Sequence, residues 1–131
     1  NHLDSKGGSA LHAVCAAGHQ EVFDLLITAG ARYEQRTAHG TTALIIAARS
    51  GFLPLVKALL QLDETLLDMA DLDGYSAVMW AAYRGQTAVL KHLLAKGADI
   101  SRESVTGRTA LMIARQKKHA PCVQLLLVGE W

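Results

Sequence analysis

Residues 71–99, DLDGYSAVMWAAYRGQTAVLKHLLAKGAD, read as two short helices joined by a tight turn. Ser76 stands where a hydroxyl can accept an orphan backbone N–H, and Ala77–Tyr83 then run small and apolar, so a helix is predicted to start there. Gly85 ends it. From Thr87 to Lys96, Val89, Leu90, Leu93 and Leu94 fall on one stripe at helical spacing, and Gly97 supplies the left-handed residue that stops the second helix. Isolated helices shorter than about 12–15 residues are marginal in water even with good formers. The unit must therefore stack on copies of itself.

The copies are present. Gly7, Gly40, Gly74 and Gly107 fall 33, 34 and 33 residues apart, each followed at one offset by an apolar cassette: Ser9-Ala10-Leu11-His12, Thr42-Ala43-Leu44-Ile45, Ser76-Ala77-Val78-Met79 and Thr109-Ala110-Leu111-Met112. A second glycine recurs at Gly18, Gly51 and Gly85, and an aliphatic pair at Leu26-Ile27, Leu59-Leu60, Leu93-Leu94 and Leu126-Leu127. In repeat length, and in cassettes placed as the T-P-L-H-x-A signature is, the pattern resembles the ankyrin-repeat family. Two features depart from it: alanine (Ala10, Ala43, Ala77, Ala110) takes the place of the family's proline, and its histidine survives only as His12. The resemblance implies an all-α solenoid of helix-turn-helix units joined by β-turn or hairpin fingers. It implies a single domain over residues 1–131, with repeats near 4–36, 37–70, 71–103 and 104–131. The chain opens mid-pattern at Asn1 and closes at Trp131 where a second helix ends, which reads as an excerpt of a longer protein.

Local exceptions fit this register. Pro54 and Pro121 fall in the first turn of outer helices, where the missing N–H has no partner in any case. Val22, Phe23, Leu26 and Ile27 are expected to point inward from the first outer helix. The loop from Asp63 to Asp73 lacks a capping glycine, but Leu66, Leu67 and Met69 can re-cover the helix ends. Lys118 replaces the turn glycine of the other repeats and Arg115 replaces a small residue, which suits a frayed or capping terminal repeat.

The 131 residues are 50% hydrophobic and carry a formal charge of +1, so bulk attraction to nucleic acid or to a membrane surface is not expected. No apolar run reaches the ~18 residues of a membrane span, and no membrane insertion is expected. Cys15 and Cys122 lie in the first and fourth repeats, and three layers at ~8–10 Å each put them out of disulfide reach. Reduced core cysteines favour a cytoplasmic or nuclear setting.

No phosphate-binding loop, nucleophile elbow or H-E-x-x-H motif occurs. His12 and Cys15 could supply half of a zinc site, but nothing supplies the other half. His19 and His119 read as repeat framework and His92 as a packed residue. Asp63, Glu64, Asp68, Asp71 and Asp73 share one loop and read as a solvated finger more simply than as an acid/base pair. No catalytic residue, metal ligand or cofactor is expected, and the segment reads as non-enzymatic.

The resemblance implies a monomeric scaffold segment that holds another macromolecule along its concave side, through finger tips and the exposed ends of inner helices. Carried onto this chain, that side includes Lys6, His39, Arg49, Asp73, Tyr75, Tyr83, Arg84, Arg108 and Lys117. Its five Lys and Arg residues against Asp73 give +4, while the whole chain is +1. Trp80 joins Tyr75 and Tyr83 in one repeat, either as packing between inner helices or as part of the surface. Tyr, Trp and Arg dominate binding hot spots. The expected site is thus Tyr75, Trp80, Tyr83, Arg84, Arg49, Arg108, Lys117 and His39, and the expected partner is an acidic or phosphorylated peptide of another protein. The second reading is a regulatory segment of a larger enzyme, channel or sensor, in which a nucleotide or nucleic acid stacks on the aromatics and the arginines take phosphate.

Overall fold

The computed structural model describes residues 10–30, 33, 36–37 and 39–128. The first finger with Lys6, and Ala38 of the second, lie outside them. Among the described residues the chain forms four helix pairs: α1 (Ala10–Ala17) with α2 (Gln20–Thr28), α3 (Ala43–Ser50) with α4 (Leu53–Leu62), α5 (Ala77–Arg84) with α6 (Thr87–Ala95), and α7 (Ala110–Gln116) with α8 (Ala120–Val128). The inner helices pack in the order α1, α3, α5, α7 and the outer helices in the order α2, α4, α6, α8.

Alanine makes the inner row possible. Ala43, Ala47, Ala48, Ala77, Ala81, Ala82, Ala110 and Ala114 are wholly buried, so neighbouring backbones approach without large side chains between them. Leu55, Leu59, Val89, Leu90, Leu93 and Leu94 fill the space between inner and outer rows. Gly51 and Gly85 take left-handed φ values of 82° and 71° at the ends of α3 and α5, as turns into the outer helices require. Lys118 adopts φ 62° at the corresponding turn after α7.

One expected inward residue is outward. Val22 is 43% exposed, whereas its counterparts Leu55 and Val89 are buried against the preceding layer. Among the described residues no layer precedes α2, so the side chain has nothing to pack on. Phe23 is buried, and Leu26 and Ile27 are half-buried.

The caps differ from expectation too. Thr42 accepts from Ile45 N at 3.2 Å and Thr109 from Met112 N at 3.4 Å, but the Ser76 hydroxyl makes no cap bond and is buried without a partner. Thr42→Ala should therefore cost about 1 kcal/mol in urea denaturation, while Ser76→Ala should stay within about 0.5 kcal/mol of the parent because it removes an unsatisfied hydroxyl. Equal losses at both sites would contradict this assignment.

The fingers are turns closed by two backbone bonds each: Thr37 N to Thr41 O with Gly40 N to Thr37 O, Asp71 N to Tyr75 O with Gly74 N to Asp71 O, and Ser104 N to Arg108 O with Gly107 N to Ser104 O, all at 2.8–3.0 Å. Successive fingers are tied by Leu72 N to His39 O and Val105 N to Asp73 O, both 3.0 Å. An isolated antiparallel bridge, Ala70 to Ser76, is the extent of strand pairing among the described residues. The long loop after α4 forms a 3₁₀ turn over Glu64–Asp68 that buries Leu66 and Leu67.

Cys15 and Cys122 are both free and buried. Burial pushes the Cys15 thiol up to about 12, and burial also raises Cys122, opposed by the Thr87 hydroxyl 3.9 Å away. A thiol reacts as its thiolate. Native protein should resist alkylation at both positions, and the denatured chain should count two thiols; an intramolecular disulfide would contradict the layer order. No helix among the described residues is long and apolar enough to cross a membrane.

Candidate functional site

The site begins with a turn. Asp71 Oδ1 accepts from Asp73 N and Tyr75 N, both at 3.0 Å, which fixes the third finger. The other carboxylate oxygen, Oδ2, accepts from Trp80 Nε1 at 2.9 Å and so holds the indole of α5 against that finger. Asp71 is thus half-buried and fully engaged, a correction to its reading as part of a solvated loop. Thr37 and Ser104 occupy the same slot in neighbouring fingers and bond the backbone likewise, so a phased polar residue was the available signal. What sets Asp71 apart is a second oxygen that reaches a tryptophan.

With Trp80 held, three rings gather. Tyr75 and Trp80 have centroids 5.2 Å apart, Trp80 and Tyr83 5.4 Å, and Tyr75 and Tyr83 6.4 Å, with interplanar angles of 52°, 63° and 70°. Such tilted and edge-to-face arrangements suit the ring quadrupoles. All three rings are half-buried. Trp80 is therefore both framework and surface.

Cations cover the rings from two neighbouring repeats. The Arg49 guanidinium lies 5.4 Å from the Trp80 ring centre and the Lys117 ammonium 4.4 Å from that of Tyr83. Tyr75, Trp80 and Tyr83 also line a cleft of about 440 Å³ with Asp73, Val105, Thr106 and Arg108, and the Arg108 guanidinium donates to Gln116 Oε1. Six of the eight expected site residues, Tyr75, Trp80, Tyr83, Arg49, Arg108 and Lys117, thus meet at one place. Arg84 and His39 are exposed but do not line the cleft. Lys117 reaches back to a tyrosine in the preceding repeat, whereas the matching neighbour of Arg84 is Arg49, a like charge.

The arrangement has a clear chemical bias. Two cations already occupy ring faces and Arg108 lines the cleft, against one exposed carboxylate, Asp73, while the Asp71 carboxylate is spent on its own finger, so the balance is cationic. A positively charged guest would meet repulsion, and an anion next to an apolar or aromatic group would meet both kinds of partner.

Stacked helix pairs joined by phased finger turns define a repeat-built helical solenoid. The family description "Ankyrin repeats (3 copies)" matches residues 1–68 and 56–130, and the chain belongs to the ankyrin-repeat family. Ankyrin repeats generally mediate protein–protein interaction. The chain is 39% identical over 111 residues to ankyrin repeat domain-containing protein 63 of Homo sapiens, covering 82% of this chain and 29% of the relative. It is 31% identical over 125 residues to an L-asparaginase of Dirofilaria immitis, covering 95% of this chain and 21% of that protein. It is 35% identical over 130 residues to a transient receptor potential cation channel subfamily A member 1 homolog of Caenorhabditis elegans, covering 98% and 11%. The chain spans less than a third of each of these relatives.

Proposed function

We propose that this segment is a non-catalytic protein-binding module, one domain with repeats at 4–36, 37–70, 71–103 and 104–131, whose third repeat grips an acidic or phosphorylated segment of another protein. The apolar or aromatic part of that segment enters the cleft of Tyr75, Trp80 and Tyr83, and its anionic groups face Arg49, Arg108 and Lys117. The observation that carries this reading is the placement of two cations over rings that also line the cleft. Charge-assisted contacts of this kind are stronger than neutral ones. Arg84 and His39 extend the same side as outlying contacts.

A nucleotide is the weaker guest. The three rings tilt against one another by 52–70° and offer no parallel pair of faces between which a base could slide. Relatives named as an enzyme and as a channel support the further possibility that the module regulates a larger protein, with the same cleft as its contact.

Panning a random displayed-peptide library against the chain tests the proposal. Recovered peptides should combine Asp, Glu or phosphomimetic runs with a bulky apolar residue, and Tyr83→Ala should abolish their recovery. Enrichment of basic peptides, or equal recovery on Tyr83→Ala, would overturn it.

A further inference from the structure

We infer that the α7–α8 face closes the stack: Arg115 and Lys118 keep a further ankyrin repeat from docking there at the spacing of the first four. Burial separates the two sides of each layer. α1 and α7 bound the described stack at opposite ends, so a position buried in α1 but exposed in α7 points toward the following layer. His12 and Cys15 are buried, while their counterparts Met112 and Arg115 are exposed. The row 12, 15, 18 and its copies therefore form the forward seam.

Between layers that row narrows stepwise. It reads Ile45, Ala48, Gly51 in the second repeat and Met79, Ala82, Gly85 in the third, with both large residues and both alanines wholly buried. The glycine is where the next repeat sits down. A Cβ added at Gly18 would lie 2.7 Å from the Phe52 ring, at Gly51 2.5 Å from Gln86 Oε1, and at Gly85 2.8 Å from His119 Nδ1. These three residues hold equivalent places at the starts of α4, α6 and α8. Two of them also reach a carbonyl of the layer below: Gln86 Nε2 donates to Arg49 O at 3.0 Å, and His119 Nε2 lies 3.0 Å from Tyr83 O. The bare glycine leaves room for that contact.

In the fourth layer the row reads Met112, Arg115, Lys118. Lys118 has the left-handed φ of the glycines, 62°, so its Cβ projects into the space the next repeat's residue would need. Arg115 stands where Ala48 and Ala82 are wholly buried, and docking would carry its guanidinium into an otherwise apolar seam, which is costly without a paired anion. Steric and charge obstacles thus fall on one row.

The row also supplies its own repair, because Arg115→Ala with Lys118→Gly recreates Met79-Ala82-Gly85. The test is to extend the chain beyond residue 131 with a second copy of residues 99–128, which keeps the repeat phase, in both the parent and the doubly substituted background. Urea unfolding is compared with that of the unextended chains, and hydrogen exchange is followed in the added copy. In the parent background the m-value should match the unextended chain and the added amides should exchange freely. In the double variant m should rise by about a quarter, as one more repeat joins the cooperative unit, and the added amides should be protected. Protection of the added copy in the parent would overturn the inference. So would its absence in the double variant, since Arg115 and Lys118 would then not be what closes the face.

Discussion

Leu93→Ala should lower the stability of the chain by about 2–5 kcal/mol, read as a drop in the urea midpoint at unchanged m. Leu93 is wholly buried on α6, and its counterparts Leu59 and Leu126 are buried in the same place in adjoining repeats. The truncation removes contacts to both helix rows at once, and the alanine-lined inner helices have little side chain with which to refill the space. A loss at the upper end of the range is expected for that reason. Leu25→Ala makes the comparison, because Leu25 is 69% exposed on α2 and its truncation should cost little. A loss below about 1 kcal/mol at Leu93 would mean that the outer row is loosely packed.

Tyr83→Ala should weaken binding of a panned acidic peptide about 30-fold, close to 2 kcal/mol, mainly through faster dissociation. Tyr83 packs edge-on against Trp80, lines the cleft and carries Lys117 on its face, so its truncation removes a wall of the cleft and the seat of a cation together. Its half-buried ring at the open end of α5 should matter far less to stability than Leu93 does. Removing Arg49 and Lys117 charges should act differently, slowing association, with a loss that shrinks as salt rises because screening acts over ~8–10 Å. If Tyr83→Ala instead unfolds the chain, the ring belongs to the core and the cleft is not a binding surface.

The repeat frame was legible in the sequence because glycine and alanine recur in phase, and each has a backbone reason to do so. Gly51 and Gly85 turn with positive φ, Ala48 and Ala82 let inner helices touch, and the Val89-Leu90-Leu93-Leu94 stripe is buried throughout. Even the exception in the fourth repeat was readable, since Lys118 in a glycine slot must adopt the glycine's dihedral. Charge and aromatic content on the finger side pointed to the cluster. Burial that depends on which layer is adjacent was not readable, and Val22 illustrates it: the same slot is buried one repeat later.

Side-chain partnerships within a loop were also hidden. Asp63, Asp71 and Asp73 look alike as letters, yet Asp63 caps the 3₁₀ turn through Thr65, Asp71 organises the site, and Asp73 lines the cleft. Hydrogen bonds from the Thr65 side chain and then its backbone hold the Asp63 carboxyl below the usual range. Ser76 failed as a cap where two threonines succeed, a difference that a helix-start signature does not resolve. Arg84 and Lys117 fill equivalent slots, and only the identity of the residue one repeat back, Arg49 or Tyr83, separates their roles.

The proposal that the cleft holds an acidic segment is tested most directly by titrating a panned acidic peptide into the parent chain and into Arg49→Gln/Lys117→Gln across a range of ionic strength. The parent should bind tightly at low salt and progressively less well as salt rises, while the double variant should bind weakly and with a much shallower salt dependence, the remainder carried by Arg108. Equal affinity of the two proteins at low salt would contradict it.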